Sequence, residues 1–229
     1  MRKVILSLIL IGAFYACTTD SATTTTKEVE KTEVAIKKSE KKFYKKPENT
    51  PLTGLDKLVK AASNDKGVVQ WEGSKPTGTH MGNLELVGKE IVFKNDELKS
   101  VELTFDMNSI SCSDITNPDY NAKLINHLRS NDFFNVENYP QAILKSTEIT
   151  NKVDYYSVKA DLTIKGITQT VVVPVYIKEN EETKLLVGGV EIDRTKFNIH
   201  YKSKSIFPNL GDKFISDNFT VKFAIPQKK

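Results

Sequence analysis

The side chains able to do chemistry in this 229-residue chain are few and far apart. Its three histidines are His80, His127 and His200. Three imidazoles and a carboxylate would suit zinc, but more than forty residues separate each histidine from the next, with no compact ligand spacing. The plainer reading makes His80, flanked by Gly78 and Gly82, a hydrogen-bonding residue that fixes a turn. His127 then ends a helix, where a positive charge would favour the helix dipole. No metal is expected. Cys112, between Ser111 and Ser113, is incidental unless its surroundings lower its pKa. Asp193 and Arg194 are the most telling polar pair, because strand alternation would turn one of them inward. An inward Arg194 would meet a carboxylate or phosphate head group through paired hydrogen bonds; the alternative, which we favour, is a structural ion pair across strands. Asp106, Asp114 and Asp132 read as turn and loop acceptors. There is no Gly-x-Ser-x-Gly elbow, no His-Glu-x-x-His helix and no glycine-rich phosphate loop. Neither catalytic residues nor a cofactor are therefore expected, and the chain is read as a non-enzyme.

Strands must position these residues. From Val68 onward the hydrophobic period is two, with turn residues between the runs. Val69 and Trp71 point one way, followed by Leu84 and Leu86, then Ile91 and Phe93. Val101, Leu103, Phe105 and Met107 alternate with Glu102, Thr104 and Asp106 as a half-buried strand. Further strands are expected over 143–149, 156–165, 168–177, 185–192, 196–201 and 219–225. Lys165-Gly166 reads as a tight hairpin with a positive φ at the glycine. About eight antiparallel strands fit a closed barrel, which leaves no exposed edge; a two-sheet sandwich would show much the same pattern. Thr53 and Asp56 suggest a capping box. Leu55, Leu58, Val59 and Ala62 then form one face of a short helix, expected across an end of the barrel and closed by Asn64-Asp65-Lys66-Gly67. The interruption from Ser109 to Tyr139 holds a second helix over Asn121–Ser130, with Leu124, Ile125 and Leu128 on one side. It delivers Phe133 and Phe134, which either contact a ligand or cap the core.

The first fifty residues set an address. Arg2 and Lys3 precede an apolar run, Val4–Ala13, too short to span a bilayer. Ala16-Cys17 then reads as a lipoprotein cleavage site, giving a signal peptide over 1–16 and lipidation at Cys17. Acylation would anchor the chain, since each buried methylene contributes about 0.8 kcal/mol. It would leave Cys112 as the single thiol of the mature chain, so no internal disulfide is expected. Residues 17–50, with a threonine run and then mostly Lys and Glu, are too polar to offset the entropy of ordering and read as a disordered tether reaching roughly 30 Å. Thr18, rather than Asp, after the cysteine favours the outer membrane, with the domain facing the periplasm. Setting aside the two leading cations and the tether's eight basic and six acidic residues leaves 23 of each sign in the remainder, from totals of 33 and 29. A neutral domain over 51–229 gives no support to nucleic-acid binding.

Several blocks occur in a telling order. Val69-Gln70-Trp71 and Gly78-Thr79-His80-Met81-Gly82 come first, then Asp106 to Ile110 with Asp114. His127 to Phe134 runs on to Tyr139-Pro140, followed by Leu162 to Gly166, Ile192 to Phe197, Tyr201, and Leu210-Gly211-Asp212 with Asp217. Together they resemble the YceI-like family over about Gly67 to Ala224, with the histidine in a Gly-x-His-x-Gly turn. The resemblance implies an all-β fold: an antiparallel eight-stranded lipocalin-like barrel with a short helical insertion, here preceded by a short N-terminal helix. It also implies a polyisoprenoid or other long-chain lipid held in the lumen. Candidate ligand-binding residues are Leu103, Phe105, Phe133, Phe134, Leu162, Ile164, Val173, Arg194, Phe197 and Ile199. Alternation alone leaves open whether such residues line a cavity or fill it, because an eight-stranded barrel is just wide enough for either. The leading expectation is an envelope lipoprotein that binds or carries an apolar chain. The alternative is a structural or interaction module whose barrel is filled by its own side chains.

Overall fold

In the computed structural model, which describes residues 54–62 and 66–229, the alternating stretches become eight strands. They are β1 (Val68–Lys75), β2 (Gly78–Lys94), β3 (Glu97–Asp106), β4 (Gln141–Asn151), β5 (Tyr156–Ile164), β6 (Ile167–Glu179), β7 (Thr183–Asp193) and β8 (Asn218–Lys228). Each pairs antiparallel with its neighbours in sequence, and β1 also pairs with β8, closing an up-and-down barrel. Closure excludes the open sandwich and removes the sheet edges that would otherwise invite pairing with another chain. The signal peptide, Cys17, the tether, Thr53, and Asn64 and Asp65 of the expected helix-closing turn lie outside the described residues.

Turn chemistry sets the register. Asn95-Asp96 and Lys165-Gly166 have φ of 53°, 61°, 52° and 73°, the left-handed pair that a two-residue hairpin needs to match strand twist. The runs around Leu84 and Ile91 belong to one 17-residue strand, β2, with irregularities at Leu86/Gly88 and Val92/Phe93. The first leaves Val87 unpaired and resets the alternation, which hides the strand's continuity, whereas the second puts its extra residue, Lys99, on β3. Gly78 to Gly82 also lies within β2, where His80 pairs with Gly73, so the expected Gly-x-His-x-Gly turn is strand. Residues 196–201 are not a strand. A 3-10 turn covers Arg194–Phe197 and ends at left-handed Asn198, φ 56°. The apolar spacing of Phe197, Ile199 and Tyr201 arises in this coiled segment, where alternate residues turn inward without a ladder.

Helix α1 (Leu55–Ala61) begins after Gly54, whose φ of 90° and lack of a side chain replace the expected capping box. It does not cross a barrel end. Leu58 packs with Val187 and Ala224 on the outer face of β7 and β8, where Leu55, Val59 and Ala62 join them. Asp56 ties it to β6 through Lys178, 3.4 Å away. Helix α2 (Pro118–Arg129) starts earlier than expected because the Asn117 side chain accepts from the N–H groups of Asp119 and Tyr120, and Pro118 takes the first helical position. Leu128 is buried in the core, with Leu124 and Ile125 packed beside it.

The two barrel ends differ. Where β2 leads into β3 and β6 into β7, Ile91, Leu98, Val175, Leu186 and Ile225 close the core. At the opposite end α2 and the β7–β8 connection form a cap, and the central cavity lies beneath it.

Candidate ligand-binding site: the lumen and its cap

Inward positions from all eight strands surround a cavity of about 150 Å³, and among the described residues no polar side chain reaches it. Leu103 and Phe105 of β3, Leu162 and Ile164 of β5, and Val173 of β6 line it, together with Phe133 and Phe134 from the cap. Val69 and Trp71 do so from β1. Trp71 donates its indole N–H to the Ser111 carbonyl at 2.9 Å, so the ring is held with its polar edge satisfied and its apolar body toward the lumen. Sequence reading missed Val158, Val190 and Ile192, which strand alternation offered, and Met107, Ile110 and Leu128, which depend on how the insertion folds over the barrel. Gly188 had no local signal. A β-carbon there would lie 2.6 Å from the Phe223 ring and from the Pro174 carbonyl, so its absence lets Phe223 enter the lumen.

Three of the expected ligand-binding residues stand elsewhere. Phe197 and Ile199 are wholly buried in the core beside the cavity but do not line it. Arg194 is 3% exposed and is consumed by the protein itself. Its Nε donates to the Ser216 carbonyl at 2.9 Å, Nη1 to Ile199 at 2.8 Å and Nη2 to Ile215 at 2.9 Å. Asp217 lies 3.6 Å away, and the Phe133 ring sits under the guanidinium at 5.7 Å. Burial pulls the Arg194 pKa down, opposed by Asp217 and Asp193. Arginine stays charged nonetheless. The group therefore gathers the β7–β8 connection around itself, and a head group would have to displace backbone acceptors to reach it. Asp193 faces the other way, accepting from the Thr195 N–H at 3.0 Å and hydroxyl at 2.6 Å.

The sequence blocks meet at this cap. His127 packs edge-on against Phe133 at 5.0 Å and Tyr201 at 4.5 Å, and its Nε2 lies 3.2 Å from Asp132. Lys165 donates to the carbonyls of Asn131 at 2.9 Å and Asn198 at 3.4 Å, joining the β5–β6 hairpin to both neighbouring blocks. Tyr139 lies over Gly166, where a β-carbon would come within 2.7 Å of its ring. The distinctive residues thus build the cap, whereas the cavity itself is made of ordinary aliphatic and aromatic side chains.

A second polar cluster holds segment 110–114 along the start of β2, where β3 has already ended. Ser111 and Ser113 donate backbone N–H groups to the carbonyls of Asn83 and Met81 at 3.1 and 2.8 Å. Asp114 accepts from Met81 N–H at 2.9 Å and lies 2.8 Å from His80 Nδ1. Partial burial alone would raise the Asp114 pKa, but the Met81 N–H, His80 and the Cys112 thiol outweigh it and bring the value down to about 2. Burial pushes the Cys112 thiol up, away from the reactive thiolate. His80 is thus a clasp between strand and strap. His200 Nε2 lies 3.3 Å from the Thr195 carbonyl, and among the described residues no three metal-ligating side chains converge.

An antiparallel eight-stranded barrel around an apolar cavity, closed by helix and loop, defines a lipocalin-like architecture. A YceI-like domain model matches residues 61–226, and the chain belongs to that family. It is 37% identical over 78 residues to a UPF0312 protein of Pectobacterium atrosepticum, covering 34% of this chain and 37% of that one. A UPF0312 protein of Photorhabdus laumondii is 48% identical over 46 residues, 20% of this chain and 24% of its own. The matched segments therefore span well under half of these relatives' lengths. Among solved structures, Burkholderia cenocepacia BcnA superposes with a TM-score of 0.58 at 24% identity, covering 70% of this chain and 96% of BcnA. A polyisoprenoid binding domain from Saccharophagus degradans, implicated in plant cell wall breakdown, gives 0.53 at 13% identity, covering 71% and 93%. At these identities the structural likenesses establish the shared fold.

Proposed function

We propose that this chain binds a long apolar molecule, a polyisoprenoid or fatty-acyl lipid, in the barrel lumen without chemically altering it. The observation that carries the reading is the cavity, enclosed by all eight strands and lacking any polar lining side chain. Water gains nothing there, so apolar surface placed inside it contributes about 25 cal/mol per Å² before ordering losses. The polyisoprenoid-binding description of the Saccharophagus domain supports the ligand class. The apolar run before Ala16-Cys17 supports anchoring by lipidation at Cys17, with the domain tethered at the outer membrane and facing the periplasm.

One observation favours the second reading, a barrel filled by its own side chains that acts as an interaction module. The cavity's 150 Å³ is below the ~300–1,000 Å³ usual for ligand pockets. A long chain therefore requires side chains such as Phe133 and Phe134 to swing toward the cap. Trp71, the single tryptophan, lines the cavity and reports the event directly. Titrating residues 45–229, which hold the whole closed barrel, with farnesol should shift Trp71 emission saturably. Ala142→Phe, which puts a ring into the lumen beside Phe105, should abolish the response. No saturable change with the unmodified sequence would favour the filled module.

A further inference from the structure

The β7–β8 connection carries features that the cap does not use. Residues 195–216 contain four lysines, Lys196, Lys202, Lys204 and Lys213, against a single acid, Asp212. This local excess stands on a domain whose other residues are net acidic, 19 basic against 22 acidic once the loop's four lysines and one acid are taken from 23 of each sign. Between the cations Ile206 and Phe207 project as neighbours, 41% and 49% exposed. Lys204 lies over the Phe214 ring at 4.9 Å and Lys202 over Tyr201 at 5.3 Å, so ammonium groups and apolar surface share one face.

The loop is built. Phe207 N–H donates to the Ser203 carbonyl at 2.8 Å, Ile215 N–H to Lys202 at 2.9 Å, and Ser203 is completely buried. Its position is also specific. The Tyr201 ring lies 5.8 Å from Phe133, which lines the cavity, so the loop stands one aromatic layer above the lumen. Beside it Lys165, His200, Lys202 and Phe207 bound a cleft of about 410 Å³. The carboxylate at the cleft edge, Asp132, is engaged by His127.

We propose that the β7–β8 loop is a docking tip for an anionic lipid bilayer. Ile206 and Phe207 enter the interfacial layer while Lys202, Lys204 and their neighbours meet lipid phosphates, bringing the capped end of the cavity to the surface from which an apolar ligand enters or leaves. An acidic protein would be satisfied by the lysines alone; adjacent exposed isoleucine and phenylalanine with cations around them suit the apolar-to-charged gradient of a membrane interface. The purpose assigned to the tip rests on the lumen-binding reading, whereas its membrane contact does not.

Flotation of residues 45–229 with phospholipid vesicles tests the tip, comparing neutral phosphatidylcholine with vesicles holding roughly one-third phosphatidylglycerol. Each lysine near an anionic surface is worth about a fivefold change in partition. Lys202→Gln with Lys204→Gln should therefore weaken binding to anionic vesicles by roughly 25-fold. Ile206→Ser with Phe207→Ser should weaken it at least several-fold, and raised salt should weaken wild-type binding. Both pairs are at the surface, and farnesol titration of Trp71 on the same samples should be unchanged by either. Wild-type binding that is absent, or equal on neutral and anionic vesicles, overturns the proposal, as does partition of both double variants within twofold of wild type. If Trp71 is silent to farnesol while flotation responds as expected, the tip stands and the lumen reading falls.

Discussion

Arg194 shows how a residue type can mislead about its use. An arginine after an alternating strand is a reasonable head-group ligand, and the sequence offers nothing to say that three carbonyls will converge on it. Those acceptors come from Ile199, Ile215 and Ser216, partners made neighbours only by the path of the β7–β8 connection. Replacing Arg194 with Met would leave the three carbonyls without their donor and Asp217 without its neighbouring cation. We expect a loss of about 3–5 kcal/mol in denaturant unfolding. Arg194→Lys should be intermediate, because one ammonium cannot match the planar fork. Asp114 supplies a pH signature. Its carboxyl is depressed from 3.8 to about 2, so it contributes stability that is fully present above about pH 4 and is lost as pH falls toward 2. The shift corresponds to at most about 2 kcal/mol, and to about 1 kcal/mol once solvent screening at this surface site is allowed for. Asp114→Asn should therefore be less stable than wild type at pH 7, with the difference shrinking between pH 4 and pH 2 in thermal melts.

At the scale of elements, strands with clean alternation were legible. β3, β5 and β6 follow directly from side-chain period, and the Lys165-Gly166 hairpin from glycine's tolerance of positive φ. Where alternation is broken or imitated, legibility fails. The extra residue Val87 in β2 splits one strand into two apparent ones, and the coil at 196–201 imitates a strand because its inward residues happen to fall two apart. Helix α2 was recognisable from its apolar face, although its start depends on the side chain of Asn117. The strap at 110–114 was not legible, since it relies on a close approach to Gly82. A β-carbon at that glycine would stand 1.7 Å from the Ser111 carbonyl oxygen. Gly82→Ala should displace the strap and loosen Trp71, whose indole bonds the same carbonyl. Expected outcomes are a stability loss of at least about 3 kcal/mol and red-shifted Trp71 emission, whereas Gly73→Ala, with open space around its β-carbon, should leave the 110–114 strap in place.

For the whole molecule, the ordered blocks identify the family while saying little directly about the ligand. His127, Phe133, Lys165, Arg194 and Tyr201 lock helix α2 to the hairpin and to the β7–β8 connection. Such geometry depends on particular residues and leaves a recognisable pattern. The lumen needs only apolar side chains of suitable volume, which many sequences supply. Seven of the ten expected contact residues line it: five because inward alternation points toward a barrel axis whatever the axis contains, and Phe133 and Phe134 because the cap folds over it. The barrel's closure, its apolar cavity and the aromatic cover over it make a container for an apolar chain the reading to test.

The most direct test is native mass spectrometry of residues 45–229 isolated from bacterial envelope extracts without detergent, with the Ala142→Phe variant prepared in parallel. One long-chain apolar species is expected at near one-to-one occupancy in the wild type, released on denaturation and missing from the folded variant. Wild-type protein that emerges bare and takes up no added polyisoprenoid or fatty-acyl chain would contradict it.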